Sequence, residues 1–166
     1  MQSNYVGTKS PHLTSGYRAP GVLNDAVWTH PEFVAGGLSV LRAIVGFLFI
    51  AHGLQKIMAF PAPVPGPAID LMSVFGAAGL IEMVGGALII VGLFTRAVAF
   101  ILSGEMAAAY FMQHAAAGFW PLLNGGELAA LYCFVFLFFA VAGGGAWSID
   151  AIRYGAPAPA ASEGDI

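Results

Sequence analysis

The sequence predicts an all-α membrane protein, a four-transmembrane-helix bundle with a polar N-terminal tail and a short C-terminal tail. Three observations predict it. Of 166 residues, 58% are hydrophobic and only 9% charged, against roughly 25% charged in an ordinary soluble domain. The apolar residues gather in four runs of about 20, the length that crosses a bilayer as a helix. The 22 glycines suit close approach of helices in lipid, where small residues mark the interfaces.

Residues 1–35 read as a polar tail. It contains Pro11, Pro20 and Pro31 and no apolar run of the kind a secretory signal carries, so insertion is expected to be directed by the first membrane helix. Within it Val22 to Trp28 is expected to form a short surface helix, with Trp28 and Phe33 at headgroup level. The membrane domain then covers 36–150. Its first span, about 37–58, holds Arg42 near its start and His52 and Lys56 near its end. The loop PAPVPGPAID follows, whose four prolines forbid helix. Asp70 is placed to cap the second span, about 71–94.

The hinge Leu93-Phe94-Thr95-Arg96 leads into the third span, about 96–116. AGFWPLLNGG reads as a surface turn anchored by Trp120. Asn124 and Glu127 have the spacing of a capping box at the start of the fourth span, about 126–146. Its Phe-rich run CFVFLFFA is expected to face lipid, with Cys133 as a small packing residue. Residues 151–166, rich in Ala and Pro towards the end, are expected to be a disordered tail.

Charge placement gives an orientation. Lys9, Arg18, Arg42, Arg96 and Arg153 fall on one side, and Lys56 on the other. By the positive-inside rule this predicts a multi-pass protein of the bacterial inner membrane with both termini cytoplasmic. A net charge of −3 argues against a nucleic-acid partner, which needs a basic patch. The single cysteine, Cys133, excludes an internal disulfide or dithiol relay.

The chemistry-bearing residues are Glu82 and Glu105. At ~1.5 Å rise per residue both land within a few ångströms of the midplane, His52 slightly outward, and Lys56 and Glu127 roughly 12 Å outward. A carboxylate facing lipid there is costly, so both glutamates are expected to face inward. On the first span Arg42, His52 and Lys56 fall within about 80° of one another and form one polar stripe. Glu82 shares its face with Phe75, Gly79 and Gly86, small residues among them admitting a close neighbour.

His114 lies roughly 180° from Glu105, so the two cannot serve one site on an unbroken helix. The acids read either as a functional buried pair, acting with His52, or as a structural contact paired to Arg42, Lys56 or a backbone carbonyl. Two glutamates and a histidine suit iron or manganese, but the Glu-x-x-His signature of di-iron bundles is absent, and no metal is expected. No Ser/His/Asp arrangement, phosphate-binding glycine loop, CxxC or haem motif is present.

Three stretches carry a resemblance: LRAIVGFLFIAHGLQKI, GLIEMVGGALIIVGLFTRAVAFILSGEMAAAYF and NGGELAALYCFVFLFFAVAGGGAWSID. Together, over about 37–153, they resemble the DoxX family of small bacterial membrane proteins. The pattern residues are Arg42, His52, Gly53, Lys56, Glu82, Gly85, Gly86, Gly92, Thr95, Arg96, Asn124, Gly125, Gly126, Glu127, Ser148 and Asp150. The resemblance implies a four-helix inner-membrane protein whose relatives are described as oxidoreductase components, some similar to the small subunit of a thiosulfate:quinone oxidoreductase or a terminal quinol oxidase.

The leading expectation is therefore a quinone-linked subunit in contact with membrane lipid. Glu82, Glu105 and His52 would act on the head group, and His52, Lys56, Glu82 and Arg42 would hold it. Electrons would come from a partner redox protein, because no carrier is encoded. One rival is an accessory subunit that docks on a larger membrane complex through tail residues Tyr5, Tyr17, Trp28 and Phe33. Another is a small transporter with Glu82 and Glu105 on a polar path, which would call for a homo-oligomer.

Overall fold

A computed structural model describes residues 30–66 and 69–155. The Val22–Trp28 helix, the tail aromatics apart from Phe33, and the end from 156 onward lie outside the described residues. Among the described residues every regular element is helical: α1 Pro31–Met58, α2 Val74–Val91, α3 Thr95–Ala109, α4 Pro121–Asn124, α5 Glu127–Ala142 and α6 Ile149–Tyr154. A π turn, Tyr110–His114, and a 3-10 turn, Ala115–Ala117, prolong α3. Helices α1 and α2 are long and apolar enough to cross a membrane, and α5 is apolar but shorter.

Helix ends differ from expectation for local reasons. Helix α1 begins at Pro31 rather than 37, with proline in the first turn, where its missing N–H costs nothing. Asp70 does not cap α2. Ser73 does, its Oγ accepting from Gly76 N at 3.1 Å, while the Asp70 carboxylate accepts from Met72 N at 2.9 Å in the preceding turn. No capping box opens α5. Its N-cap is Gly126, without a side-chain cap, and Asn124 Oδ1 instead accepts from Gly126 N at 2.8 Å, a local Asx turn that competes with capping. The segment 149–154 is helical, although disorder was expected from 151.

Helices α1 and α2 run antiparallel at glycine-limited separation. A Cβ added at Gly46 would lie 2.9 Å from Gly86 O, and one at Gly53 would lie 2.7 Å from Gly79 O. Two glycines spaced one heptad apart on each helix thus meet in register, and the backbones touch directly. Helices α3 and α5 form the second pair, joined where Ser103 Oγ donates to Cys133 O at 2.8 Å. Leu102 packs into the space left by Gly85, which ties α3 to α2.

Phe49 joins the pairs, with ring centroids 5.3 Å from Tyr132 and 4.7 Å from Phe136. The Phe-rich run is accordingly split. Phe134 and Phe138 are 69% and 54% exposed, but Phe136 and Phe139 are fully buried. Positions 132, 136 and 139 share one face at helical period, so a helix aromatic all round puts some of its rings inside.

One end of the bundle is tied by Arg42. The guanidinium is only 2% exposed and donates to four carbonyls: Nε to Gly144 O at 2.7 Å, Nη2 to Trp147 O at 2.8 Å, and Nη1 to Ile90 O at 2.5 Å and to Ile89 O. The carbonyls at the end of α2 and in the α5–α6 link are thereby satisfied. Beside it Asp150 accepts from Thr95 N at 2.7 Å and Phe94 N at 2.9 Å, capping α3 from a distant segment. This lets Phe94 hold a left-handed φ of 51°, and Arg153 sits over its ring at 5.3 Å.

Two outcomes test this packing. Gly53→Ala forces a backbone shift and lowers unfolding stability in detergent by about 1–3 kcal/mol, whereas Gly104→Ala, with open space at the same position, does not. Asp150 lies beyond the apolar helices. Burial opposes its charge, but the N–H groups of Thr95 and Phe94, with Arg153, hold its carboxyl below the ordinary 3.8. A depressed folded value contributes stability above the unfolded pKa that is lost as pH falls through the folded one. Wild type therefore loses stability below about pH 4 in a step that Asp150→Asn lacks, read by thermal unfolding across a pH series.

Candidate functional site

The crossing of α1 and α2 creates the site. Lys56 and Glu82 start from different depths, yet Lys56 Nζ makes an ion pair with Glu82 Oε1. The geometry explains why. Side chains on a helix lean towards its N-terminus, so on antiparallel helices Lys56 leans inward and Glu82 leans outward, and they meet. The Lys56 stem lies against Gly79, whose added Cβ would be 3.0 Å from Lys56 Cβ. Lys56 therefore pairs with Glu82, as the structural reading of the acids allowed.

Glu82 is 2% exposed, and its second oxygen, Oε2, is buried without a hydrogen-bond partner. Glu105 is close enough to interact electrostatically with both Glu82 and Lys56, and both of its oxygens are buried and unpartnered. Three carboxyl oxygens are thus buried without protein donors. An unsatisfied buried polar group costs about 1–3 kcal/mol, so this arrangement is an expense the fold bears.

Tyr132, on α5, was not foreseen as a site residue. It is 7% exposed, and its ring meets His52 edge-on at 6.0 Å. Neither the Tyr132 hydroxyl nor the His52 ring forms a hydrogen bond to the described residues. The signal was present in the inward spacing of 132, 136 and 139. His52, Lys56, Glu82, Glu105 and Tyr132, from four helices, therefore form one cluster.

Arg42 does not join it. With four carbonyls already bound, it has a structural role at the opposite end of α1, contrary to its expected place around a head group. His114 is also elsewhere: Nδ1 lies 3.1 Å from Asn124 O, and Asn124 Nδ2 donates to Tyr110 Oη at 3.3 Å. Among the described residues no group of three or more His, Cys, Asp or Glu could hold a metal ion. A groove of about 1920 Å³, lined by Leu38, Arg96, Phe138 and Trp147 among others, lies at the Arg42 end and includes none of the cluster.

The family model that matches residues 37–115 is DoxX. An uncharacterized protein of Haemophilus influenzae is 48% identical over 119 residues, covering 68% of this chain and 87% of its own. The chain belongs to the DoxX family. An uncharacterized membrane protein of Mycobacterium tuberculosis is 28% identical over 128 residues, 66% of this chain and 77% of that one. No solved structure matches it. The DoxX match spans Arg42, His52, Lys56, Glu82 and Glu105 but stops before Tyr132. With its apolar helices, this DoxX protein is a membrane protein, and the outward side chains Phe47, Phe100, Phe134 and Val141 face lipid.

The cluster predicts opposite signs for its two acids. Glu105→Met removes a buried carboxyl without partners and raises unfolding stability by about 1–3 kcal/mol. Glu82→Met strands Lys56 and lowers it by roughly 1–3 kcal/mol, less than the 3–5 of a fully buried pair, since Lys56 is 22% exposed. Differential scanning fluorimetry of both variants in one detergent decides the signs.

Proposed function

We propose that this DoxX protein is a quinone-linked subunit of a membrane redox system. The observation that carries the reading is the set of buried, unpartnered oxygens on Glu82 and Glu105 beside His52 and Tyr132. Intramembrane ionisable groups are costly and are kept for function. In this reading the chain crosses the bacterial inner membrane four times with both termini cytoplasmic, α3 with its π extension and α5 supplying the third and fourth crossings.

The quinone head group sits between the helices in the outer half of the bilayer. His52 hydrogen-bonds one quinone oxygen, Glu105 exchanges the proton, and the Lys56–Glu82 pair fixes the local charge. Lys56 and Glu82 therefore organise the site, whereas Arg42 holds the scaffold. Electrons pass to or from a partner protein. Proximity of a carboxyl to the reacting oxygen is what general acid–base catalysis needs, a contribution of typically 10²–10⁴-fold, roughly.

Replacing His52 and Glu82 together by alanine is expected to reduce quinone-dependent turnover in membranes at least about tenfold. The assay is quinone reduction or quinol oxidation in vesicles containing matched amounts of folded protein. Unchanged turnover would remove the proposal.

A further inference from the structure

The groove at the Arg42 end of the bundle plays no part in the cluster chemistry. Its volume of about 1920 Å³ is well above the roughly 300–1,000 Å³ of sites for drug-sized molecules. Leu38 and Leu41 of α1 and Phe138 and Ala142 of α5 make its apolar stretch. From Pro31 to Leu41, both in its lining, α1 rises about 15 Å. That is room for a hydrocarbon chain rather than a compact solute.

A guanidinium stands at its edge. Arg96, exposed in the first turn of α3, donates from Nη1 to Ala140 O at 3.3 Å and to Val141 O, which fixes the plane of the group. Nε and Nη2 make no hydrogen bond to the described residues. These two N–H groups form one side of the guanidinium fork, the kind of pair that grips a phosphate bidentately. They lie beside Gly143, where an added Cβ would stand 3.4 Å from Nη2 and 3.5 Å from Nε. The glycine leaves that side of the fork uncovered.

Arg153 adds a second positive charge, stacked over Phe94 and Tyr154, both in the groove lining. Of the two acids there, Asp150 already accepts from Phe94 N and Thr95 N, so Glu32 alone stands against the two arginines. Trp147 and Tyr154, both exposed in the lining, are the aromatic types that settle at headgroup level. An apolar groove that ends at a bidentate fork, in a membrane protein, matches an amphiphile with a phosphodiester head.

We propose that this groove binds a membrane phospholipid, with its phosphodiester on Nε and Nη2 of Arg96 and an acyl chain along Leu38, Leu41 and Phe138. The site stands apart from the quinone-linked reading, since its lining includes none of His52, Lys56, Glu82, Glu105 and Tyr132. The bound lipid joins α1, α3 and α5 at the end that Arg42 ties. With both termini cytoplasmic, as proposed above, it comes from the cytoplasmic leaflet.

The test is native mass spectrometry of the full chain, delipidated in detergent and titrated with phosphatidylglycerol, with a diacylglycerol of the same chains, or with inorganic phosphate. Wild type is expected to retain phosphatidylglycerol at least about tenfold more tightly than the diacylglycerol, the scale of hydrogen bonds to a charged group. Arg96→Gln is expected to lose that preference while still retaining the diacylglycerol. Ala97→Trp fills the groove from an exposed lining position and keeps the fork, so it is expected to weaken both lipids. It also decides the matter should Arg96→Gln fail to fold. Equal retention of the two lipids by wild type overturns the proposal. So does inorganic phosphate bound as tightly as the phospholipid, which marks a free-anion site. A preference that survives in Arg96→Gln, or wild-type binding of both lipids by Ala97→Trp, overturns it too, because the lipid then lies elsewhere.

Discussion

The rest of the structure depends on how closely α1 approaches α2. Gly46 against Gly86 and Gly53 against Gly79 let the two backbones touch, and no larger residue could stand at Gly46 or Gly53 without displacing main chain. That separation is what allows Arg42 to reach the last carbonyls of α2 at one end. It also allows Lys56 to reach Glu82 towards the other. In lipid there is no hydrophobic force between helices, so packing and these polar ties carry the association.

The two ends use polar groups in contrasting ways. Arg42 is buried and its donors are directed to four carbonyls, so its charge is dispersed over dipoles and its geometry is fixed. The carboxyl oxygens of Glu105 are buried and without hydrogen-bond partners. An apolar medium makes the first arrangement rigid and the second expensive. The first reads as scaffold, and the second is the kind of local conflict proteins retain where they act rather than where they merely fold. Tyr132 and His52 stand beside that conflict, so the groups best able to meet a ligand are those the fold leaves unsatisfied.

Much of this was legible in the chain. The apolar runs located the long helices, and the glycines on the Glu82 face signalled a close neighbour, which proved to be α1. Arithmetic on rise and angle set His114 apart from Glu105 on an unbroken helix; the π turn Tyr110–His114 interrupts that helix, and His114 contacts Asn124. What was hidden arose from direction and distance in space. Depth was reckoned at the backbone, so the opposite lean of Lys56 and Glu82 was missed. The partners of Arg42 at Gly144 and Trp147 are more than a hundred residues away in sequence, and no local pattern announces them. Tyr132 was obscured by the uniform hydrophobicity of α5, which masks its inward face.

The central claim is that the α1–α2 crossing holds Lys56 and Glu82 as a coupled pair within the cluster. A double-mutant cycle with Lys56→Met, Glu82→Met and the combined variant, unfolded in lipid bicelles at neutral pH, measures that coupling directly. A coupling energy above about 1 kcal/mol is expected, the upper range for exposed ion pairs, with the double variant more stable than Glu82→Met alone. Additive effects, with a coupling near zero, would contradict it.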